Sequence, residues 1–284
     1  MLHSGEKISY DVVSFNTGSY VPDEGVPGPD KNVFTVKPIE NLLRARDAII
    51  QKLPEKPLQL LVVGGGAAGL ELAGNLRRLV RDNGGTAQII LAAGRRFLAA
   101  FPPKIRNLAK KYLLRLDVDV EEGCQVERIE PQRAVFTDGR ELPYDFTLIA
   151  WGILPSPIFR SSALPTDASG ALLVTPFLQS IRYPQIFGGG DCIGFEKMHL
   201  DKVGVYAVRQ NPVLFQNLSA ALNQQEMQPF NPGGAYLLIV NLGDGGGILW
   251  KRQFVWSGKL AFIIKNFIDQ KFMKTFQISG ERES

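Results

Sequence analysis

The sequence has few residues of the two types that build disulfide frameworks and most zinc sites. Its two cysteines, Cys124 and Cys192, lie far apart and form no C-x-x-C pair. Their spacing argues against a disulfide framework and favours a reducing compartment. The two histidines, His3 and His199, are too few for a histidine-rich metal site, and we expect no bound metal ion.

Long apolar runs and concentrated charge are also missing. No apolar run approaches the ~18 residues that cross a bilayer, and no basic and apolar leader opens the sequence. The net charge is +4 and the basic residues are scattered, so we expect no nucleic-acid partner. These absences predict a cytoplasmic protein, with a peripheral position on the inner face of the cell membrane left open.

The residues that are present favour a globular protein with many glycines. Of 284 residues, 45% are hydrophobic and 29 are glycine, which favours two folded domains. Residues 58–63 form a continuous apolar run, as expected of a strand buried on both faces of a parallel sheet. Residues 67–81 then have helical spacing and residues 87–91 are apolar again, so the sequence predicts a complete βαβ unit and an α/β fold.

Further strands and helices are predicted around this unit. Short strands at 125–129 and 134–137 precede a last parallel strand at 146–150, which indicates an inserted β-meander. The other predicted elements are a strand at 8–15, a turn-rich stretch at 21–32, helices at 39–53, 104–116 and 202–222, strands at 118–120 and 186–187, a hairpin of 235–240 with 248–256, and a helix at 259–276.

The strand at 58–63 leads into a loop with the pattern G-x-G-x-x-G. Gly64 allows a tight turn, Gly66 lets the backbone approach a pyrophosphate, and Gly69 lets the helix pack closely on the strand. The helix begins at Ala67 and Ala68, where unpaired N–H groups and the positive end of the helix dipole attract phosphate. The sequence therefore predicts a dinucleotide site; a glycine-rich corner that binds nothing is the alternative.

The loop after the second strand leaves the nucleotide preference open. An Asp or Glu is expected there to hold the ribose 2′-OH of NADH, but residues 91–96 contain no acid. Arg95 and Arg96 stand there instead, and they are candidates either for the 2′-phosphate of NADPH or for an ordinary solvated loop. NADH and NADPH are therefore both candidates.

Three further strand ends carry glycine in a recurring order. They are the segments 11–18, 145–152 and 186–192, which read DVVSFNTG, DFTLIAWG and IFGGGDC. With the Gly64 loop between the first two, the sequence resembles the FAD-dependent pyridine nucleotide-disulfide oxidoreductase superfamily over nearly its whole length. Within that superfamily it is similar to type II NADH dehydrogenases and to the flavoprotein module sometimes fused before selenide, water dikinase.

The resemblance implies a role for each of these strand ends. Thr17 and Gly18 would lie where the chain crosses from the FAD domain to the nicotinamide domain, and Gly152 would lie where it returns. Gly190 and Asp191 would border the flavin, with the Asp191 carboxylate bonded to the ribityl or phosphate end. FAD and either NADH or NADPH are the cofactors that the resemblance implies.

The same resemblance implies two Rossmann-like dinucleotide-binding domains, each with a parallel sheet in three layers. The expected division is 1–56 for a remnant of the FAD domain and a linker, 57–152 for the NAD(P)H-binding domain, 153–232 for the second segment of the FAD domain, and 233–284 for a C-terminal hairpin and amphipathic helix. The second G-x-G-x-x-G, which the family uses for the ADP half of FAD, is missing before Thr17. We therefore expect an incomplete FAD domain, and FAD binding by this chain alone is left open.

Glu71 and Gln210 are the side chains that the resemblance places near the reacting groups. Glu71 would lie near the nicotinamide and the flavin. Gln210 ends an Ala-x-x-Gln segment that type II NADH dehydrogenases place near flavin and quinone, although Asn211 and Pro212 follow here instead of a small residue. Both are positioning candidates, since hydride transfer to a flavin needs no acid–base triad. A plain surface glutamine is the alternative for Gln210.

The lack of a cysteine pair bears on the electron acceptor. Disulfide reductases of the superfamily relay electrons through paired cysteines, whereas Cys124 and Cys192 are expected to be structural thiols. We therefore expect hydride to pass from NAD(P)H to FAD and electrons to continue to a quinone or similar acceptor. A flavin reductase acting on a sulfur or selenium compound, and an NAD(P)H-binding partner subunit without its own flavin, are the alternatives.

The last predicted helix has an apolar face edged with lysines. The apolar residues are Leu260, Ile263, Ile264, Phe267, Ile268, Phe272 and Phe276, and the surrounding cations are Lys259, Lys265, Lys271 and Lys274. With Trp250 and Trp256 on the preceding strands, this pattern predicts a helix that lies on a membrane surface. Core packing and a homodimer interface are the alternatives.

Overall fold

A computed structural model describes residues 5–22, 24–26 and 31–276, with side chains described up to residue 271. Some of the predictions fall outside the described part, namely those on His3, on residues 23 and 27–30 of the turn-rich stretch, and on the side chains of Phe272, Lys274 and Phe276. Within the described ranges, no helix is long and apolar enough to span a bilayer.

The described residues form strands and α-helices, with one 3₁₀ turn at Gly190–Cys192. The strands are β1 (Val13–Phe15), β2 (Ser19–Tyr20), β3 (Val33–Thr35), β4 (Leu58–Val63), β5 (Ala87–Ala92), β6 (Val118–Glu121), β7 (Val126–Glu130), β8 (Arg133–Phe136), β9 (Glu141–Pro143), β10 (Phe146–Ile149), β11 (Leu154–Pro155), β12 (Leu172–Val174), β13 (Ile186–Gly188), β14 (Ile193–Phe195), β15 (Leu238–Asn241), β16 (Gly247–Lys251) and β17 (Phe254–Gly258). The helices are α1 (Glu40–Lys52), α2 (Ala67–Asp82), α3 (Pro103–Arg115), α4 (Ile158–Ser161), α5 (Gly204–Leu222) and α6 (Lys259–Phe276).

Contacts within the chain divide it into two compact units, each made of two segments. The first unit, called the Gly64 unit below, consists of Asp23–Gly152 and Ala235–Ser284. The second, called the Asp191 unit, consists of Met1–Pro22 and Ile153–Gly234.

The Gly64 unit is built on a parallel five-stranded sheet in the order β3-β10-β4-β5-β6. Every residue of the central strand β4 is buried except Gln59. Because consecutive side chains of a strand point to opposite faces, this burial means that both faces of the sheet are covered. The helix α2 packs on β4 and β5 through its buried stripe of Leu70, Ala73, Leu76 and Val80. The predicted α/β class is confirmed.

Two antiparallel sheets complete the Gly64 unit. The predicted meander is present as β7-β8-β9, inserted before β10. The C-terminal sheet is β15-β16-β17 and differs from the predicted hairpin in one respect. The run 248–256, expected as one strand, turns back at Arg252, whose φ is +55°, and forms two strands. No glycine or proline marks that turn, so the sequence pattern did not indicate it.

The C-terminal sheet is joined to α2 by a backbone contact that requires two glycines. A Cβ atom on Gly74 would lie 2.3 Å from the Leu242 carbonyl oxygen, and one on Gly243 would lie 2.1 Å from the Gly74 carbonyl oxygen. The adjacent residues Val240, Leu242 and Ile248 are buried in the same core as β4 and α2. The C-terminal sheet is therefore an integral part of the core of this unit.

The Asp191 unit consists of short strands and α5 around a separate core. β1 pairs in parallel with β13, β12 pairs in parallel with β14, and β2 pairs antiparallel with β11. The fully buried members of the core include Phe159, Leu172, Leu178, Phe187 and Cys192. Leu214 of α5 packs into the same cluster.

The divisions between the units differ from the expected ones in two places. β3 and α1 belong to the Gly64 unit, because β3 pairs with β10 and because Ala45 and Ile49 of α1 are buried in its core. The boundary expected at residue 56 therefore lies after Pro22. The segment expected to stand apart at 233–284 also belongs to this unit from Ala235 onward. The assignment of each unit to a cofactor stays a prediction at this point.

Asn217 provides a test of how the Asp191 unit is held together. Its side chain is fully buried, donates to the carbonyl oxygens of Phe177 and Gln228 (both 2.8 Å), and accepts the Gln228 N–H (2.8 Å). Asn217→Ala leaves these buried backbone groups without partners, so we expect the free energy of unfolding to fall by about 2–4 kcal/mol. Asn223→Ala, which removes an exposed amide at the end of α5, should cost less than about 1 kcal/mol.

Urea denaturation followed by circular dichroism measures both variants. Equal losses from Asn217→Ala and Asn223→Ala would show that the buried amide does not organise this unit.

Candidate functional site

A cleft of about 530 Å³ opens at the Gly64 loop. It lies at the carboxyl ends of β4, β5 and β10, which are adjacent strands of the parallel sheet. Ligands of open α/β sheets bind at this edge. Its lining includes residues 64–66, Ala93, Arg95, Arg96, Gln125 and Gly152.

Three glycines of the loop are required by the fold itself. A Cβ atom would lie 2.2 Å from the Ala150 carbonyl oxygen at Gly64, 2.2 Å from that of Ala93 at Gly65, and 1.8 Å from that of Gly64 at Gly69. These distances are far inside van der Waals contact and involve backbone atoms, which cannot move aside. The loop therefore turns from β4 into α2 along a path that only glycine permits.

Gly66 differs from its neighbours because the protein itself does not need a glycine there. A Cβ atom at Gly66 would meet no protein atom within 4 Å. Its φ of −87° and ψ of −173° are accessible to any residue. Gly152, which also lines the cleft, faces open space too, although its φ of +133° favours glycine. The missing side chain at Gly66 therefore leaves room for a ligand.

The start of α2 is left open to an anion. Gly66 precedes the helix without a side-chain cap, and the first turn contains no acidic residue. The Leu70 N–H donates to the Gly66 carbonyl oxygen (3.1 Å) in the first helical turn. The N–H groups at Ala67 and Ala68 precede it, and such amides and the positive dipole end attract phosphate.

Glu71 follows this turn but does not line the cleft. Its Oε1 accepts the Asn241 N–H of β15 at 2.7 Å. Burial raises the pKa of the Glu71 carboxyl, while the Asn241 hydrogen bond and Lys265 oppose the rise. The structure thus places Glu71 between α2 and the C-terminal sheet, and its expected place beside nicotinamide and flavin stays a prediction.

A second group of predicted residues meets in the Asp191 unit. Gly18, Gly190, Asp191 and Gln210 together line a cavity of about 230 Å³. Gln210 is buried, and its Oε1 accepts the Gly190 N–H at 2.6 Å. The side chain therefore fixes the backbone just before Asp191, which decides against a plain surface glutamine. Thr17 is exposed and lines neither this cavity nor the Gly64 cleft.

A larger cavity of about 440 Å³ in the same unit is also lined by Gly190 and Asp191. Ser19 donates from Oγ to the Asp191 Oδ2 at 2.8 Å. Lys202 donates to the Ile193 carbonyl oxygen, and burial lowers the pKa of its ammonium, which Asp167 and Asp191 partly offset. Sequence reasoning missed Ser19 and Lys202, because no local pattern links Ser19 to an aspartate 172 positions away.

The two cysteines have separate surroundings. Cys192 is fully buried and donates from Sγ to the carbonyl oxygens of Phe15 and Gly189. Cys124 is partly exposed and lies 3.1 Å from the Thr137 hydroxyl. In the described ranges, no group of three histidine, cysteine or acidic side chains could hold a metal ion.

Proteins of similar sequence include the following three relatives. Ferroptosis suppressor protein 1 of Taeniopygia guttata is 28% identical and aligns with 99% of this chain and 74% of its own. A probable NADH dehydrogenase of Dictyostelium discoideum is 25% identical, over 90% of this chain and 62% of its own. Internal alternative NAD(P)H-ubiquinone oxidoreductase A1, mitochondrial, of Arabidopsis thaliana is 25% identical, over 66% and 41%. The chain thus spans only part of each relative.

Solved structures share the fold at lower identity. The sulfide:quinone oxidoreductase of Aquifex aeolicus superposes with a TM-score of 0.75 at 18% identity, over 96% of this chain and 70% of that one. A FAD-dependent pyridine nucleotide-disulphide oxidoreductase of Desulfovibrio vulgaris gives a TM-score of 0.66 at 24% identity, over 88% and 63%.

The family model for pyridine nucleotide-disulphide oxidoreductases matches residues 2–217. That range covers more than half of the chain and contains the Gly64 loop, the Asp191 turn and Gln210. The chain therefore belongs to the pyridine nucleotide-disulphide oxidoreductase family, whose enzymes are FAD-dependent and draw on NADH or NADPH.

Proposed function

We propose that this chain transfers hydride from NAD(P)H to FAD and passes the electrons to a quinone. In this scheme the Gly64 unit binds the nicotinamide nucleotide and the Asp191 unit binds the flavin end of FAD. The observation that carries the proposal is the Gly64 cleft, where Gly66 alone among the loop glycines faces open space. A glycine-rich corner that binds nothing would not need glycine at position 66, because a side chain there would meet no protein atom within 4 Å.

The chain's own residues explain how the nucleotide would be held. The N–H groups at Ala67 and Ala68 would donate to the pyrophosphate, and the bare Gly66 backbone would let it approach. The glycines at 64, 65 and 69 would keep α2 pressed against β4, so that the donors stay fixed at the sheet edge.

The Asp191 unit has a donor and acceptor set that fits the flavin and ribityl part of FAD. Its 440 Å³ cavity lies within the roughly 300–1,000 Å³ of typical cofactor pockets. Ser19 orients the Asp191 carboxylate, which would accept hydrogen bonds from ribityl hydroxyls. Gln210 fixes the Gly190 backbone beside it. FAD, when bound, would accept the hydride and hold the electrons until an acceptor removes them.

A quinone is the proposed acceptor for two reasons. The Arabidopsis thaliana relative is named as a ubiquinone oxidoreductase. In this chain, Cys192 is buried and bonded to backbone carbonyls, and Cys124 lies beside Thr137. Neither cysteine has a neighbouring thiol in sequence that would form a relay, which favours an acceptor that takes electrons directly from the flavin.

We also propose that the C-terminal sheet and α6 dock on an anionic bilayer, where a quinone dissolves. Phe254, Trp256, Leu260, Ile263, Phe267 and Ile268 are all at least 42% exposed, and we call them the apolar patch. The cations Lys251, Arg252, Lys259 and Lys271 on the same elements are exposed as well. Apolar residues flanked by cations suit an anionic lipid surface. Trp250 is partly buried against Phe101 and does not belong to the patch.

Gly66→Ala tests the nucleotide site. The new methyl group meets no protein atom, so we expect an unchanged fold and a Kd for NAD(P)H raised about tenfold, since the methyl occupies the space of the pyrophosphate. Isothermal titration calorimetry measures the Kd. Gly234→Ala, at an exposed position with equal free space, is the control and should bind normally. Unchanged affinity in Gly66→Ala would refute the pyrophosphate assignment.

Visible spectroscopy tests the electron pathway. The protein is purified, supplied with FAD, and mixed with NADH or NADPH without oxygen; we expect flavin absorbance that bleaches and then returns when a soluble quinone is added. Reoxidation by disulfides or polysulfide but not by quinone would replace the proposed acceptor with a sulfur compound. A colourless protein that still binds NAD(P)H would indicate a nucleotide-binding subunit.

Phe267→Glu tests the membrane surface. Phe267 is 67% exposed in the apolar patch, and a carboxylate there opposes insertion and is repelled by anionic lipid, so we expect less protein to pellet with phosphatidylserine vesicles. Asn266→Glu adds the same charge to the neighbouring exposed position without removing an apolar side chain, and it should lose less. Equal pelleting of wild type and Phe267→Glu would exclude the patch as the lipid contact.

A further inference from the structure

We infer that Arg95 and Arg96 form a binding site for the 2′-phosphate of NADPH, so that this chain prefers NADPH to NADH. The inference rests on the proposed function, since it specifies which nucleotide the Gly64 cleft takes. Nothing in the family match decides between the two nucleotides, whereas the side chains around the cleft do.

Arg95 and Arg96 lie in the cleft, just after the end of β5. Both residues line the cleft, and both side chains are exposed. They follow the end of β5 through Gly94, which has a φ of +69° and turns the chain there. The end of the second strand of a βαβ nucleotide unit is where the adenosine ribose is read, by an acid for NADH or by arginine for NADPH.

The side chains that line the cleft carry a net positive charge. Among the residues that line it, Arg95 and Arg96 alone carry charge. Neither side chain forms an ion pair or a hydrogen bond within the described part of the chain. Most other exposed arginines of this unit are neutralised by a carboxylate within 3.4 Å, namely Arg46, Arg78, Arg81, Arg128, Arg133 and Arg140. Two unpaired guanidinium groups in one cleft are suited to a dianionic ligand.

The nearby acidic side chains are held outside the cleft. Glu121 ends the neighbouring strand β6 and Glu122 follows it, so either could in principle replace the missing ribose acceptor. Glu122 instead accepts hydrogen bonds from Lys110 (2.8 Å) and from the Phe97 N–H (3.1 Å), and the Lys110 hydrogen bond lowers its pKa. Glu121 faces Arg140 at 3.4 Å. Neither lines the cleft, so no carboxylate there would hold a ribose diol or repel a phosphate.

NADPH and NADH differ in the group that would face the two arginines. The 2′-phosphate carries close to two negative charges near neutral pH, as other phosphate monoesters do. Guanidinium groups bind phosphate with paired, charge-assisted hydrogen bonds. The 2′-hydroxyl of NADH is neutral, so it would gain no charge-assisted contact from the arginines, and the cleft has no carboxylate to hold the ribose diol. NADPH should therefore gain contacts that NADH cannot make.

Calorimetric titration of the protein with NADPH and NADH tests the inference. We expect NADPH to bind at least about tenfold more tightly, since one charge-assisted contact is worth about that factor. The double variant Arg95→Ala/Arg96→Ala should weaken NADPH by at least about tenfold and change NADH by less than about twofold. Arg81→Ala removes one positive charge near the far end of α2 and should change neither affinity.

Adenosine bisphosphates separate the 2′-phosphate from general anion binding. Adenosine 2′,5′-bisphosphate should compete with NADPH more strongly than adenosine 3′,5′-bisphosphate, which has the same charge in a different place. Equal competition by the two, or equal loss of NADPH and NADH affinity in the double variant, would overturn the inference while leaving the nucleotide site intact. Failure of the wild-type protein to bind either nucleotide would instead refute the proposed function.

Discussion

The contact between backbone atoms at the start of α2 sets the geometry of the Gly64 unit. At Gly64, Gly65 and Gly69 a single additional carbon would lie within 2.2 Å of a carbonyl oxygen. These contacts bring the ends of β4, β5 and β10 and the start of α2 as close together as peptide groups can come. The helix amides are thereby fixed at the carboxyl edge of the sheet, where the cleft opens. The position of the α2 amides relative to the cleft therefore depends on these close backbone contacts.

The same helix also joins the nucleotide cleft to the C-terminal sheet. Its first turn borders the cleft, while Gly74 lies against Gly243 and Glu71 accepts the Asn241 N–H. Val240 and neighbouring residues of the C-terminal segment then fill the core beside α2. The elements that carry the apolar patch are thus anchored in the unit that carries the cleft.

In the Asp191 unit, polar side chains hold the candidate site in place, whereas close contacts between backbone atoms do so in the Gly64 unit. Asp191 is held by Ser19, and the preceding Gly190 is held by Gln210. Lys202 adds a partly desolvated cation to the same cavity. A carboxylate with a fixed orientation suits a ligand rich in hydroxyl groups, whereas the open helix end at Gly66 suits a phosphate. The two units therefore have the complementary chemistry expected of a family that combines FAD with a nicotinamide nucleotide.

The sequence alone determined the elements that have a strong local signal. Four features could be predicted from the sequence: the apolar run of β4, the glycine loop, the helical spacing of α2 and the meander. Each is indicated by hydrophobic periodicity or by glycine positions within a short segment of the chain. Only the tertiary structure decided that Val33–Thr35 is a sheet strand, since these three residues, which directly follow the turn-rich stretch, become a strand only when β10 pairs with them. It alone decided that Gln210 is buried against Gly190, and that Arg95 and Arg96 have no acid facing them in their cleft. These properties depend on residues that are distant along the chain, and no local pattern encodes their meeting.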